Sequence, residues 1–103
     1  MKRVRPHHEV EAELTDAIGW YERERERLGR EFWDEVQRTI ALISENPAIG
    51  GLVARSRVSL PVRRVPLRRF PYFVIYRERP QDIQLVAIAH TSRRPGYWRS
   101  RNS

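Results

Sequence analysis

The chain has 103 residues, of which 20 are basic and 13 acidic, so its formal net charge at pH 7 is +7. This length suits one domain with one modest core, and the absence of cysteine excludes a disulfide framework and thiolate chemistry. No apolar run has the length of a signal peptide or of a membrane span, so we expect a cytoplasmic protein without membrane association.

The charge is divided unevenly along the chain. Residues 1–50 carry 8 basic and 11 acidic side chains, a net charge of −3, whereas residues 51–103 carry 12 and 2, a net charge of +10. Every basic residue except Lys2 is arginine, whose planar guanidinium binds phosphate and carboxylate groups through parallel hydrogen bonds. The second half therefore predicts a polyanionic partner, either a nucleic acid or an acidic protein; a solvated basic surface is the alternative.

The first half predicts a short strand followed by two helices. Residues 2–6 form the candidate strand, and from about residue 8 apolar residues recur with the period of an amphipathic helix. A second such stripe runs from Phe32 to Ile43. Gly29 is expected to end the first helix and Asn46-Pro47 the second, so the short connection predicts an antiparallel hairpin. The large rings expected to pack within it are Trp20, Tyr21, Phe32 and Trp33.

The second half predicts a loop over residues 48–59 and then strands, because the apolar period falls toward two. The first strand lies within residues 62–70, at an edge or bulged because Pro66 cannot donate a ladder hydrogen bond. Two more strands span 72–77 and 83–90, and the tail is a short last strand or an ordered arm. This order predicts an α+β fold over residues 1–103: an N-terminal strand and a two-helix antiparallel hairpin packed on a three- to four-stranded antiparallel sheet.

Three segments resemble the toxins of the ParE/RelE superfamily. Residues 17–36 are similar to the helical hairpin of these toxins, with its Trp-Tyr pair and its Leu-Gly before a Phe. Residues 63–77, RRVPLRRFPYFVIYR, resemble the second and third sheet strands. Residues 87–101 resemble the closing motif, which is a strand, a His, an Arg-Pro or Arg-x-Pro, and then Tyr-Trp. These segments follow the family's order and spacing and cover most of residues 10–101.

This resemblance implies the toxin of a bacterial type II toxin–antitoxin system, associated with growth inhibition and plasmid stabilisation. It implies the fold predicted above and a cognate acidic antitoxin as partner, in a toxin–antitoxin hetero-oligomer. Members of the superfamily use one fold for two activities, poisoning of DNA gyrase in ParE-like toxins and ribosome-dependent mRNA cleavage in RelE-like toxins. A third alternative is an inactive homologue that binds nucleic acid or buffers the antitoxin.

Cleavage of RNA through its 2′-hydroxyl requires a base, a cation beside the charged phosphorane and an acid for the leaving oxygen, but no metal. Acidic residues are almost absent from the second half, so the sequence lacks a convincing metal cluster, and we expect neither a metal nor a cofactor. If the chain is a RelE-like, metal-independent endoribonuclease, its candidate catalytic residues are Arg64, Arg68, His90, Arg93 and Tyr97.

A second group of side chains is predicted to bind the antitoxin or the target: Arg63, Arg64, Arg68, Arg69, Arg94 and Trp98. Arg64 and Arg68 are expected on one face of their strand, roughly 13 Å apart, a spacing that bridges two phosphates or two acidic groups. His90 is expected to share a face with Val86 and Ile88. The plainer alternatives are a strand-end histidine bonded to the backbone, solvated arginines, and rings that serve packing.

One position departs from the ribonuclease pattern. RelE-like enzymes carry an arginine directly after the first tyrosine of the strand that resembles residues 72–77, and this chain has Phe73 there. They also rely on lysines in the preceding strand, where this chain has none. The altered cations favour a ParE-like gyrase poison over an RNA endonuclease.

Overall fold

The chain folds as a two-helix hairpin packed on one face of a five-stranded sheet. The computed structural model describes residues 1–54 and 61–101. Strand β1 (Arg3–Pro6) leads into helices α1 (His8–Glu24) and α2 (Leu28–Glu45). Strands β2 (Gly51–Ala54), β3 (Val62–Pro66), β4 (Tyr72–Glu78) and β5 (Asp82–His90) follow. The α+β prediction is confirmed.

The sheet is mixed, with the strand order β1-β5-β4-β3-β2. Strands β2 to β5 pair antiparallel, and β1 pairs in parallel with the first half of β5, from Arg3–Asp82 to Pro6–Leu85. A parallel pair needs a long connection, and here the helical hairpin and strands β2 to β4 all lie between the two paired strands. The predicted strand count was slightly low, because β2 forms inside the segment predicted as a loop and β1 joins the same sheet. Residues 55–60, which include the rest of that segment, lie outside the described residues.

Contrary to the sequence prediction, Gly29 does not end the first helix. Helix α1 ends before this residue, which lies buried in the first turn of α2. A Cβ atom at Gly29 would lie 2.7 Å from the carbonyl oxygen of Ile18, so the glycine permits the close approach of the two helices. The Glu22 carboxylate accepts hydrogen bonds from the backbone N–H groups of Arg27 and Gly29, both at 3.0 Å, and so caps the start of α2.

The main core lies between the hairpin and the sheet. Phe32 is fully buried there, and its ring contacts those of Tyr21, Phe70 and Tyr72 at centroid distances of 5.0–5.2 Å. The predicted packing of the hairpin rings is therefore confirmed for Tyr21 and Phe32, with the ring of Trp33 partly buried against the same core. It is wrong for Trp20, which is 56% exposed.

The opposite face of the sheet is covered by the C-terminal tail, and we call it the tail face. Residues 91–100 form turns rather than a strand, so the tail is the ordered arm of the two predicted alternatives. Trp98 is 4% exposed and packs there in a second, smaller core. Its buried neighbours come from strands β3, β4 and β5: Val62, Ile75, Val86, Ala87 and Ala89.

A bulge in β5 changes which side chains share a face. The register with β4 shifts between Ile75 and Tyr76, where β5 contributes one extra residue. Because such an extra residue reverses the alternation of faces, Val86 packs on the tail face whereas Ile88 packs in the main core. The prediction that His90 shares a face with both of them is therefore wrong, and its ring lies beside Tyr72.

Candidate functional site

A small pocket on the tail face is lined by four of the five candidate catalytic residues. We call it the arginine pocket; its volume is about 100 Å³. The catalytic candidates that line it are Arg64, His90, Arg93 and Tyr97. Arg94 and Trp98, which were predicted to bind the antitoxin or the target, line it as well. Strand ends and the returning tail thus place residues 34 positions apart around one pocket.

Two arginines of this pocket rest on aromatic rings. The guanidinium carbon of Arg64 lies 4.4 Å from the ring centroid of Phe73, and that of Arg93 lies 3.9 Å from the ring centroid of Tyr97. The first stack follows from the register of β3 with β4, which puts Arg64 diagonally opposite Phe73 on the same face. Stacking orients a guanidinium by cation–π attraction while its N–H groups, which lie in its own plane, remain available to an anion.

His90 ends β5 beside the pocket. Its Nδ1 atom accepts a hydrogen bond from the backbone N–H of Ser92 at 3.0 Å, and the Ser92 hydroxyl lies 2.8 Å away. This contact places the proton of the neutral ring on Nε2, because Nδ1 is an acceptor. The arrangement agrees with the plainer alternative, a strand-end histidine bonded to the backbone.

The Tyr97 hydroxyl belongs to a partly buried network centred on Glu13, a residue of α1. It donates to Glu13 Oε2 at 2.5 Å, while Arg101 Nη1 and the backbone N–H of Ile88 donate to Oε1 at 2.9 and 3.0 Å. Arg101 also donates to the carbonyl of Val86 at 3.0 Å. Burial raises the pKa of Tyr97, and the hydrogen bond to Glu13 raises it further, so this hydroxyl stays protonated.

This network seals an open sheet edge. Strand β1 pairs with β5 only as far as Leu85, so no strand of the described residues pairs with the second half of β5 on that side. Glu13 and Arg101 satisfy backbone groups there in place of a strand. The sequence analysis identified neither residue; the one signal was that Glu13 lies at helical spacing from the buried Val10 and Ala17.

The remaining predicted arginines lie away from the pocket. Strand β3 ends at Pro66, so Arg68 is exposed in the following turn and does not share a strand face with Arg64, which corrects that prediction. Arg69 pairs with Glu31 of α2 at 2.7 Å, and Arg63 donates to the Gly50 carbonyl at 2.8 Å. The first contact joins the segment after β3 to α2, and the second joins β3 to the residue that precedes β2.

A larger cleft of about 760 Å³ opens between α1 and the end of β5. His90, Arg93 and Tyr97 line this cleft too, opposite the exposed Trp20 and Arg23 of α1. Within residues 1–54 and 61–101, no group of three or more metal-ligating side chains is positioned to hold a metal ion. No helix in the same ranges is long and apolar enough to cross a membrane.

Comparison with known proteins identifies the family. The model of the family described as "ParE toxin of type II toxin-antitoxin system, parDE" matches residues 4–95. Among solved structures, the chain is similar to one from the "Chromosomal ParDE TA system from P. aeruginosa", with a TM-score of 0.72 and 17% identity over 89% of this chain and 98% of that chain. No curated protein sequence matches. The structural likeness supports the fold, and the family match spans most of the sequence: the chain belongs to the ParE toxin family of type II toxin–antitoxin systems.

Proposed function

We propose that this toxin poisons DNA gyrase and that a cognate acidic antitoxin neutralises it. The observation that carries the proposal is Phe73, which stands where RelE-like ribonucleases carry an arginine. Its ring lies beneath the Arg64 guanidinium on the tail face. One cation at a developing phosphorane charge is worth about 10²-fold or more in rate, and a hydrocarbon ring cannot supply it.

The Tyr97 hydroxyl supports the same proposal. Protonating a leaving oxygen requires a readily released proton, and the raised pKa of Tyr97 makes its hydroxyl a poorer acid. That hydroxyl is also committed to Glu13. His90 does not add to this support, because only its Nδ1 atom is bonded to Ser92 and Nε2 remains available for proton transfer.

A second candidate function is ribosome-dependent mRNA cleavage. It is favoured by the convergence of Arg64, His90, Arg93 and Tyr97 on the arginine pocket. In this alternative Arg93 supplies the cation that Phe73 does not, because an arginine from the tail reaches the same face of the sheet. The reaction would be metal-independent.

The experiment that separates these functions assays the purified toxin in two parallel reactions. In the first, gyrase supercoils a relaxed plasmid with and without toxin, and relaxation by a topoisomerase I is the control. In the second, translating ribosomes carry a defined mRNA, and the variants Arg64→Gln and His90→Ala are compared with the wild type. We expect loss of supercoiling or accumulation of cleaved plasmid, together with intact mRNA.

Two other outcomes would overturn the proposal. Codon-phased mRNA cleavage that disappears in both variants would establish the endonuclease. Neither effect, in cells that grow normally on induction, would identify an inactive homologue. Both targets lie in the cytoplasm, so either toxin activity places the protein there. Co-purification of an acidic partner that restores supercoiling tests the antitoxin part of the proposal.

A further inference from the structure

We propose that the arginine pocket binds a backbone phosphate of a nucleic acid, so that the toxin itself contacts the nucleic acid at its target. This inference goes beyond inhibition of gyrase, because it assigns a ligand to a site on the toxin. It is carried by the unpaired guanidinium groups that surround the pocket.

The described arginines differ in whether they pair with a carboxylate. Seven that lie outside the pocket form such a pair: Arg5, Arg25, Arg30, Arg38, Arg69, Arg79 and Arg101. Others that lie outside it, such as Arg23 and Arg68, do not, so the pocket is distinguished by the number of unpaired arginines that lie together there. Arg64, Arg93, Arg94 and Arg99 form no ion pair with any carboxylate of the described residues. The first three line the pocket, and the Arg99 side chain lies over Gly96, which also lines it. Four uncompensated positive charges therefore surround a cavity of about 100 Å³.

The pocket is preorganised for an anion. Arg64 and Arg93 are held on Phe73 and Tyr97, and Tyr97 is itself fixed by Glu13. A long side chain that is already oriented loses less conformational entropy when it binds a ligand. The floor is apolar, with Ile75 among its members, so water competes poorly for the anion there.

The arrangement favours a phosphate over a carboxylate. One guanidinium fork satisfies both oxygens of a carboxylate, because the two groups are planar and match in spacing. A phosphodiester directs its oxygens tetrahedrally, and so accepts from guanidinium groups that approach from different directions. Arg64 approaches from β3, and Arg93 and Arg94 approach from the tail. The neighbouring Arg99 extends the cationic surface toward the next phosphate of a strand.

Direct binding of a fluorescein-labelled 20-base-pair DNA duplex to the purified toxin tests this assignment. Fluorescence anisotropy is measured for the wild type and the double variant Arg64→Gln/Arg93→Gln over a range of salt concentrations. We expect affinity to fall about tenfold or more and the log–log salt slope to shrink by about 2, one for each lost phosphate contact. The matched control is Arg3→Gln. Arg3 is an exposed residue of β1 that lies beside the opposite end of β5, so its substitution should leave the DNA affinity and the salt slope nearly unchanged.

Circular dichroism and thermal melting establish that the double variant is folded. Unchanged DNA affinity and salt slope in that folded variant would overturn the proposal. A labelled glutamate-rich peptide is titrated in parallel. If the double variant loses peptide binding but keeps DNA binding, the pocket recognises carboxylates and the proposal fails. Gyrase inhibition is measured separately. A toxin that binds DNA without inhibiting gyrase would contradict the proposed function but not the phosphate site.

Phe73 has a positioning role in this proposal. Phe73→Tyr keeps an aromatic ring beneath Arg64, whereas Phe73→Leu keeps apolar volume without a ring. We expect DNA affinity to fall severalfold in Phe73→Leu and to stay near the wild-type value in Phe73→Tyr, at comparable melting temperatures. Equal DNA affinity in the two variants would show that the Phe73 ring does not position Arg64 for binding.

Discussion

Phe32 illustrates how a single buried ring supports this small fold. It is completely buried, stacks on Tyr21 at 5.2 Å and contacts Phe70 edge-on at 5.2 Å. Phe32→Ala should lower the free energy of unfolding by about 3–5 kcal/mol, since the lost ring leaves a cavity between helix and sheet. Urea unfolding measures this, with Trp20→Ala at a 56% exposed ring as the control, expected to change stability by about 0.5 kcal/mol or less. A Phe32→Ala protein as stable as the control would contradict the packing.

His7 provides a pH-dependent contribution at the start of α1. It is 7% exposed, and its Nδ1 atom accepts the backbone N–H of Glu9 at 3.1 Å, which caps the helix. Burial lowers the pKa of His7 below the ordinary value of 6.5, and the neighbouring His8 lowers it further. Its contribution to stability is therefore complete above pH 6.5 and is lost as pH falls through the lowered folded-state pKa.

The prediction for His7 is tested with a substitution that keeps the cap but does not titrate. His7→Asn should lose less stability than the wild type between pH 6.5 and the folded-state pKa. Urea midpoints measured from pH 7.5 to about pH 5 compare the two proteins. The exposed His8→Asn is the comparison: it removes only one of the smaller effects that lower the His7 pKa, so it should keep more of the wild-type pH dependence than His7→Asn does. Parallel curves for His7→Asn and the wild type would show that this histidine does not link folding to pH.

The helical hairpin depends on close approach of its two helices. At Gly29, an added Cβ would lie 2.7 Å from a backbone oxygen of α1, which cannot move aside as a side-chain end does. Gly29→Ala should therefore cost about 1–3 kcal/mol of folding free energy. Gly51→Ala is the control, because a Cβ there meets nothing within 4 Å; it should be neutral or stabilising by up to about 1 kcal/mol. Chemical denaturation of both variants decides between close packing and mere turn propensity.

The edge of β5 depends on a charge from another element. Glu13 and Arg101 form a pair with side chains 14% and 13% exposed, and Glu13→Gln would leave the guanidinium nearly buried without its carboxylate. We expect a loss of about 3 kcal/mol in unfolding free energy. Asp34→Asn breaks the exposed Arg30–Asp34 pair as the control and should cost about 0.5 kcal/mol or less. Similar losses of unfolding free energy in Glu13→Gln and Asp34→Asn would show that Glu13 does not stabilise the edge of β5.

At the scale of the whole molecule, the uneven charge along the sequence becomes a difference in net charge between the helical layer and the sheet. The acidic residues of the first half lie mostly on the helical hairpin, and the strongly basic second half forms β2 to β5 and the tail. An acidic antitoxin would be steered to the sheet side, at a rate that salt reduces by screening.

The steering prediction is checked by stopped-flow measurement of toxin–antitoxin association. The double reversal Arg64→Glu/Arg68→Glu should slow association about tenfold or more at low salt and flatten its salt dependence. The control with equal net charge is Arg30→Glu/Arg38→Glu on α2, where the effect should be much smaller. Equal effects of the two reversals would mean that total charge, rather than the basic side of the sheet, sets the rate.

Local patterns in the sequence were sufficient for the fold class and for every element except β2, which lies within the predicted loop. The helical stripes predicted α1 and α2, alternation predicted β3, and runs of aromatic, β-branched and other apolar residues predicted β4 and β5. The three family segments predicted the toxin family. These features depend on the spacing of neighbouring residues along one helix or strand, so they can be read without knowing the partners. Four of the five candidate catalytic residues, Arg64, His90, Arg93 and Tyr97, line one pocket and Arg68 does not, while their catalytic role stays a prediction.

Tertiary structure alone decided how distant segments meet. The bulge in β5 reversed the face of Val86, and a half-sealed sheet edge gave Glu13 of α1 and Arg101 of the tail their joint role, 88 positions apart. Gly29 resembled a helix end in the sequence, and only the neighbouring helix explains it. The sequence identified Phe73 as the position where RelE-like enzymes carry an arginine. Its contact with Arg64 follows only from the register of β3 with β4. Each of these depends on contacts between residues far apart in sequence, and local periodicity carries no information about such pairings.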